Sequence, residues 1–291
     1  MTESAYAVLI SIVRVFEYGG FVLLAGMLMF LSLVWPQGRR DRRLVRLLVV
    51  GVALTVIATI ADPLVQAAKY DTGVLDAVGR SYAAAALIRL AVVVAVFMYL
   101  PDIVARDIHR WRTSVALAAV LLLEATMIVQ SDATDGAWAP LKVIVMAGHL
   151  TAVAVWLGGL VALATMLIGG DRLTELEAIL PSFRGLAMVS VLTLLVTGVV
   201  QGVLQAGGVG PLIGSAYGAV LGVKTIVLVL MLVIADRSRR YAETPEYRPL
   251  NEFSRTMVPV AARPMTLAVG IEVALAAGAL AATAIAVWFT P

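Results

Sequence analysis

Eight stretches of predominantly apolar residues follow one another along the chain, and this succession constrains the fold more than any other feature. A helix needs roughly 20 residues to cross the hydrocarbon core of a bilayer. There it must satisfy every backbone N–H and C=O within itself. On that criterion the spans run over 5–34, 44–66, 80–101, 112–131, 139–168, 183–206, 213–235 and 264–289. The first and fifth exceed the membrane thickness, which implies tilt or extension beyond it. Composition agrees: 61% of the 291 residues are hydrophobic and only 14% charged, too little polar surface to cover a soluble domain. The expected fold is an all-α polytopic membrane protein of eight transmembrane helices, forming one membrane domain over 1–291. No Lys or Arg precedes the first apolar run and no small-residue cleavage site follows it, so that segment is expected to remain as a spanning helix rather than a signal peptide.

The cations give an orientation. Arg39, Arg40, Arg42, Arg43 and Arg46 follow the first span; Arg106, Arg110 and Arg112 follow the third; Arg172 and Arg184 follow the fifth. Arg237, Arg239, Arg240, Arg248, Arg255 and Arg263 follow the seventh, in a loop over 236–263 with Pro245, Pro249 and Pro259. The alternate loops hold Lys69 and Arg80, with Lys142 at the rim of the fifth span. Sixteen cations against three place the odd-numbered loops in the cytoplasm and both termini outside. The net charge of +3 is therefore a topological signal, and no nucleic-acid partner is expected.

The halves 1–135 and 136–291 resemble each other. Tyr82 precedes Arg89 as Tyr217 precedes Lys224; Leu54-Thr55 with Thr59 answers Leu192-Thr193 with Thr197; Glu17 precedes Gly26 as His149 precedes Gly158; Glu124 loosely answers Glu272. Two tandem four-helix repeats in the same orientation would produce this, with the pseudo-axis along the membrane normal. The alternative is chance similarity among apolar helices.

Arg14, Glu17, Arg89, Glu124, Lys224 and Glu272 fall inside spans, and Asp62 near the outer end of the second. An unpaired charge at the bilayer centre costs at least about 2.5–3.5 kcal/mol, so these side chains are expected to turn inward and pair. Arg14 and Glu17 share a helical face and can neutralise each other locally. Each residue also has a plain packing role open to it, as one end of an interhelical ion pair. As a set they point to a polar interior that binds or passes an ion or proton.

Of the two histidines, His109 sits in the Arg-rich third loop. His149 lies within the fifth span, with Met146 three residues before it on the same face. Met127, in the outer half of the fourth span, could reach the same level. Imidazole with thioether makes a soft site for Cu(I), although apolar helices routinely contain Met and the pattern is short. Bis-histidine haem is disfavoured, because the two histidines lie in opposite halves of a ~30 Å core. There is no cysteine, no Walker A loop, no His-Glu-x-x-His and no Gly-x-Ser-x-Gly, so an enzyme is not expected.

Together these motifs resemble the CopD family of copper-resistance membrane proteins. The residues that carry the likeness are Arg14 through Tyr18 with Gly26, Phe30 and Pro36; Gly148-His149-Leu150 through Trp156 to Gly159; Phe183-Arg184 with Thr197-Gly198; Tyr217-Gly218 with Lys224; and Glu272, Leu280 and Pro291. The resemblance covers nearly the whole chain and is strongest from about 140 to 291. It implies an eight-span inner-membrane protein of copper uptake or copper handling, with His149 on the metal path and Arg14, Lys224 and Glu272 as family-type intramembrane charges. Where family members often carry a second histidine, at the outer end of the fourth span, this chain has Gln130-Ser131-Asp132.

The leading expectation is a copper-handling permease in which His149, Met146 and Met127 meet copper. Arg14, Glu17, Arg89, Glu124, Lys224 and Glu272 would line the polar path. The expected partners are the lipid bilayer and an extracytoplasmic copper-binding protein. A non-transporting subunit or scaffold of a larger membrane complex, and a proton-coupled carrier of another solute working through Glu17, Glu124 and Glu272, are the alternatives.

Overall fold

A computed structural model describes residues 3–99, 110–169, 173–215 and part of 218–229. Among these the chain is helical: α1 (Glu3–Met29), α2 (Arg42–Tyr70), α3 (Val74–Met98), α4 (Arg110–Val129), α5 (Ala139–Gly169), α6 (Leu173–Ala206) and the short α7 (Val209–Ile213). Five segments are long and apolar enough to cross a membrane: Glu3–Val34, Arg42–Tyr70, Val74–Met98, Ala139–Met166 and Ala178–Ala206. They coincide with the first, second, third, fifth and sixth spans of the sequence. The fourth span appears as a shorter apolar helix, Thr113–Val129. Most of the seventh span, the eighth, the 236–263 loop, His109, Tyr217, Lys224 and Glu272 lie outside the described residues.

α1 is the central helix. Its apolar residues from Phe21 through Leu31, Leu23 apart, are buried on all sides, with Leu24, Ala25 and Met27 fully enclosed. It packs most extensively on α2, then on α5 and α4. α3 closes against α2 and α4, while α6 lies along the far side of α5. Without a hydrophobic drive between helices in lipid, such packing relies on close backbone approach at small residues. Two glycines of α1 make that approach. A Cβ on Gly26 would stand 2.5 Å from the Ala154 carbonyl oxygen and 2.6 Å from the Gly158 Cα; one on Gly20 would meet Thr55 N at 2.7 Å. Beyond this seam, Phe30 meets Phe183 edge-on at 6.3 Å. The outward face of α6 shows the opposite pattern, with Val189, Leu192, Val196 and Val199 exposed at helical spacing.

The helix ends explain two boundaries. α1 closes in a π-helical turn, Phe30–Val34, in which Trp35 N donates to the Phe30 carbonyl at 2.9 Å. The buried Arg39 then donates from Nε to the Leu31 carbonyl at 3.1 Å, satisfying an acceptor at the helix terminus. This arginine thus holds the end of α1 as well as adding charge to its loop. In α3, Gly79 takes φ +77°, a left-handed value that glycine adopts without a Cβ penalty. It kinks the helix between a short first turn and the main run that follows.

Candidate functional site

Two groups of polar side chains lie between the helices. The first centres on Arg89 of α3, whose guanidinium offers five donors in a rigid fork. Nη1 pairs with Glu17 Oε1 of α1 at 2.5 Å, with the two side chains 3% and 17% exposed. Nε donates to Thr126 Oγ1 of α4 at 3.0 Å, and Nη2 donates to Gln130 Oε1. Gln130 Nε2 in turn donates to the Tyr82 carbonyl at 3.3 Å. The Tyr82 hydroxyl donates to Asp62 Oδ2 of α2, which also accepts from Gln66 Nε2 at 2.8 Å. One network therefore ties α1, α2, α3 and α4. Beside it is a cavity of about 10 Å³, lined by Glu17, Phe21, Thr55, Arg89, Leu123 and Met127. That is room for about one water.

Glu17 thus pairs across to α3 rather than along α1 to Arg14. The fork of Arg89 engages Glu17 together with two neutral acceptors, a geometry that a neighbour on the same helix cannot offer. Arg14 stays in electrostatic range of Tyr18, Glu17 and Asp62, and its Nε has no hydrogen-bond partner among the described residues.

The second group lies between α5 and α6. His149 Nδ1 is 2.9 Å from Thr197 Oγ1. The Thr197 hydroxyl also donates to the Thr193 carbonyl at 2.6 Å, which ties the imidazole of α5 to the backbone of α6. One turn earlier, Gln201 Nε2 reaches Met146 Sδ at 3.7 Å. Met146 and His149 therefore both face α6, as their three-residue spacing implies. Met127 lines the Arg89 cavity instead, and no described contact brings it to His149. Separately, the Thr151 hydroxyl of α5 donates to Glu124 Oε1 of α4 at 2.8 Å.

The sequence reading missed the neutral partners: Thr126, Gln130, Thr151 and Gln201. Their signal was present as polar residues inside apolar spans at helical spacing, Thr126 with Gln130 and Thr193 with Thr197 and Gln201. No group of three or more His, Asp or Glu side chains gathers as for a metal ion among the described residues.

Long apolar helices with charges enclosed between them define a polytopic all-α membrane protein. Residues 177–288 match the family model of CopD, Copper resistance protein D, the family that the sequence motifs resemble. The match includes Thr197 and Gln201; His149 and Met146 lie before it. No curated protein and no solved structure matches the chain.

Proposed function

We propose that this protein handles copper in the cytoplasmic membrane, moving copper ions through its polar interior. The observation that carries the reading is the pairing of His149 and Met146 on α5 with Thr197 and Gln201 on α6, the latter two inside the segment that matches Copper resistance protein D. Imidazole and thioether suit Cu(I) as the cargo. The Thr197 hydroxyl would hold the ring in place, as groups around a metal-binding histidine do. Lys224 and Glu272 join the proposed path from the last two spans. The sixteen-to-three distribution of cations supports cytoplasmic odd-numbered loops and both termini outside, in the inner membrane. An extracytoplasmic copper-binding protein would deliver or receive the ion. The role is that of a carrier, with no covalent catalysis.

Copper uptake into proteoliposomes, wild type against His149→Ala, tests the reading. Uptake is expected to fall in the variant, and equal uptake removes His149 from the path. A second reading, a non-transporting subunit of a larger complex, draws support from the Arg89 network, which is satisfied without any cargo. Purification with stoichiometric partners and no bound copper would favour it.

A further inference from the structure

Glu124 stands apart from the Arg89 network although both involve α4. Thr126 and Gln130 turn to Arg89, whereas Glu124 turns to α5 and is 2% exposed. The charged and titratable groups on the elements packed against α4 all have other engagements. On α3, the three nitrogens of Arg89 go to Glu17, Thr126 and Gln130, Tyr82 bonds Asp62, and Asp76 and Arg80 are exposed. On α1, Glu17 is paired with Arg89, Arg14 lies with Tyr18 and Asp62, Tyr6 bonds the Ala68 carbonyl and Glu3 is exposed. On α5, His149 bonds Thr197 and Lys142 Nζ reaches the Asp135 carbonyl at 3.2 Å. Asp132, in the 3₁₀ turn after α4, is exposed, and the π-turn at 30–34 has no charged residue.

Glu124 therefore has one neutral hydroxyl as its partner and no counter-cation among the described residues. A carboxylate held that way inside a membrane protein is the costly form, and the neutral acid relieves the cost. Glu17 is the opposite case, an anion whose charge Arg89 balances. We propose that Glu124 is the proton-binding group of this membrane domain, while Glu17 remains a fixed anion. In the loaded form the proton sits on the carboxyl group and Thr151 donates to the other oxygen. On release the proton leaves to water, and the carboxylate keeps the Thr151 hydroxyl as donor. Coupling to copper movement rests on the transport reading above; proton binding itself does not. Its placement between α4 and α5 puts the charge change against the helix that carries His149.

Dicyclohexylcarbodiimide adds to protonated carboxyl groups in apolar surroundings and so reports the loaded form. The test treats the full-length protein in liposomes without copper and maps adducts by peptide mass spectrometry. The expected result is an adduct on Glu124 that declines as pH rises, with Glu17 unmodified. An adduct on Glu17 in place of Glu124, or no adduct on Glu124 at any pH, overturns the proposal. Infrared spectra provide the second measurement. The C=O stretch of a protonated carboxyl group persists in Glu17→Gln and is lost in Glu124→Gln; the reverse pattern overturns the assignment. Loss of copper transport with this labelling unchanged would refute the transport reading alone.

Discussion

Replacing Gly26 by alanine adds one methyl group at the tightest seam of the bundle. The new Cβ would lie 2.6 Å from the Gly158 Cα and 2.5 Å from the Ala154 carbonyl oxygen, both main-chain atoms that no rotamer change can move. Carbon atoms pack comfortably at about 3.5–4.0 Å, so α1 and α5 must part by about 1 Å. The parting loosens Leu24, Met27 and Leu28, which are enclosed on the same helix. Overpacking of this kind costs about 1–3 kcal/mol. Alanine also gains about 1 kcal/mol of helix propensity over glycine at any interior helical position. Gly19→Ala on the same helix isolates that gain, because a Cβ there meets nothing within 4 Å. Gly26→Ala is therefore expected to be about 1–3 kcal/mol less stable than Gly19→Ala. Reversible denaturation in detergent, followed by tryptophan fluorescence, measures the difference. Coincident transitions for the two variants would refute the backbone contact between α1 and α5.

Breaking the Glu17–Arg89 pair from either side should cost about 3–5 kcal/mol, because each single variant strands a buried charge. Arg89→Gln should be the worse of the two, since Thr126 and Gln130 also lose their donor. The double variant should cost less than the sum by about 0.5–3 kcal/mol in the same denaturation assay, and strict additivity would show that the pair is uncoupled. Thr197→Val removes the hydroxyl partner of His149 Nδ1 and is expected to weaken Cu(I) binding by about 10–100-fold, with Thr197→Ser close to wild type. Competition with a chromogenic Cu(I) chelator reads the affinity, and equal values for both variants would dismiss the hydroxyl as an orienting group.

The bundle was legible because hydropathy reports directly on the environment a helix needs. The third span, expected from Arg80, lies within the longer apolar helix Val74–Met98, which Gly79 kinks one residue before that point. The inward turn of Glu17, Arg89 and Glu124 was legible from the energetics of charge in lipid. Their partners were not. Arg14 is the neighbour of Glu17 along the chain, but Arg89 reaches it from α3, and only the packing of α1 and α3 on their shared neighbours α2 and α4 decides between them. Met127 shows the same limit. Its depth suited a meeting with His149, yet it lines the Arg89 cavity, because depth along a helix says nothing about the direction around it.

The nature of those partners separates the charges that serve the fold from those that leave chemistry open. Each side-chain nitrogen of Arg89 reaches an acceptor, and its charge is balanced by Glu17. An arginine whose donors and charge are both satisfied gains nothing from a cargo, so changes to it or to Glu17 should appear as stability with little effect on metal affinity. His149 and Met146 instead meet a hydroxyl and an amide, neutral groups that orient a donor without balancing a charge. Replacing the Thr197 hydroxyl by a methyl group of similar size, as in Thr197→Val, is expected to keep the helices packed and to change how the imidazole is held. The Arg89 cycle and the Thr197 pair should therefore separate into two classes, one shifting the denaturation midpoint and the other the copper titration. A Thr197→Val protein that lost stability and kept its affinity would place His149 among the packing residues and remove the main structural support for copper on this face.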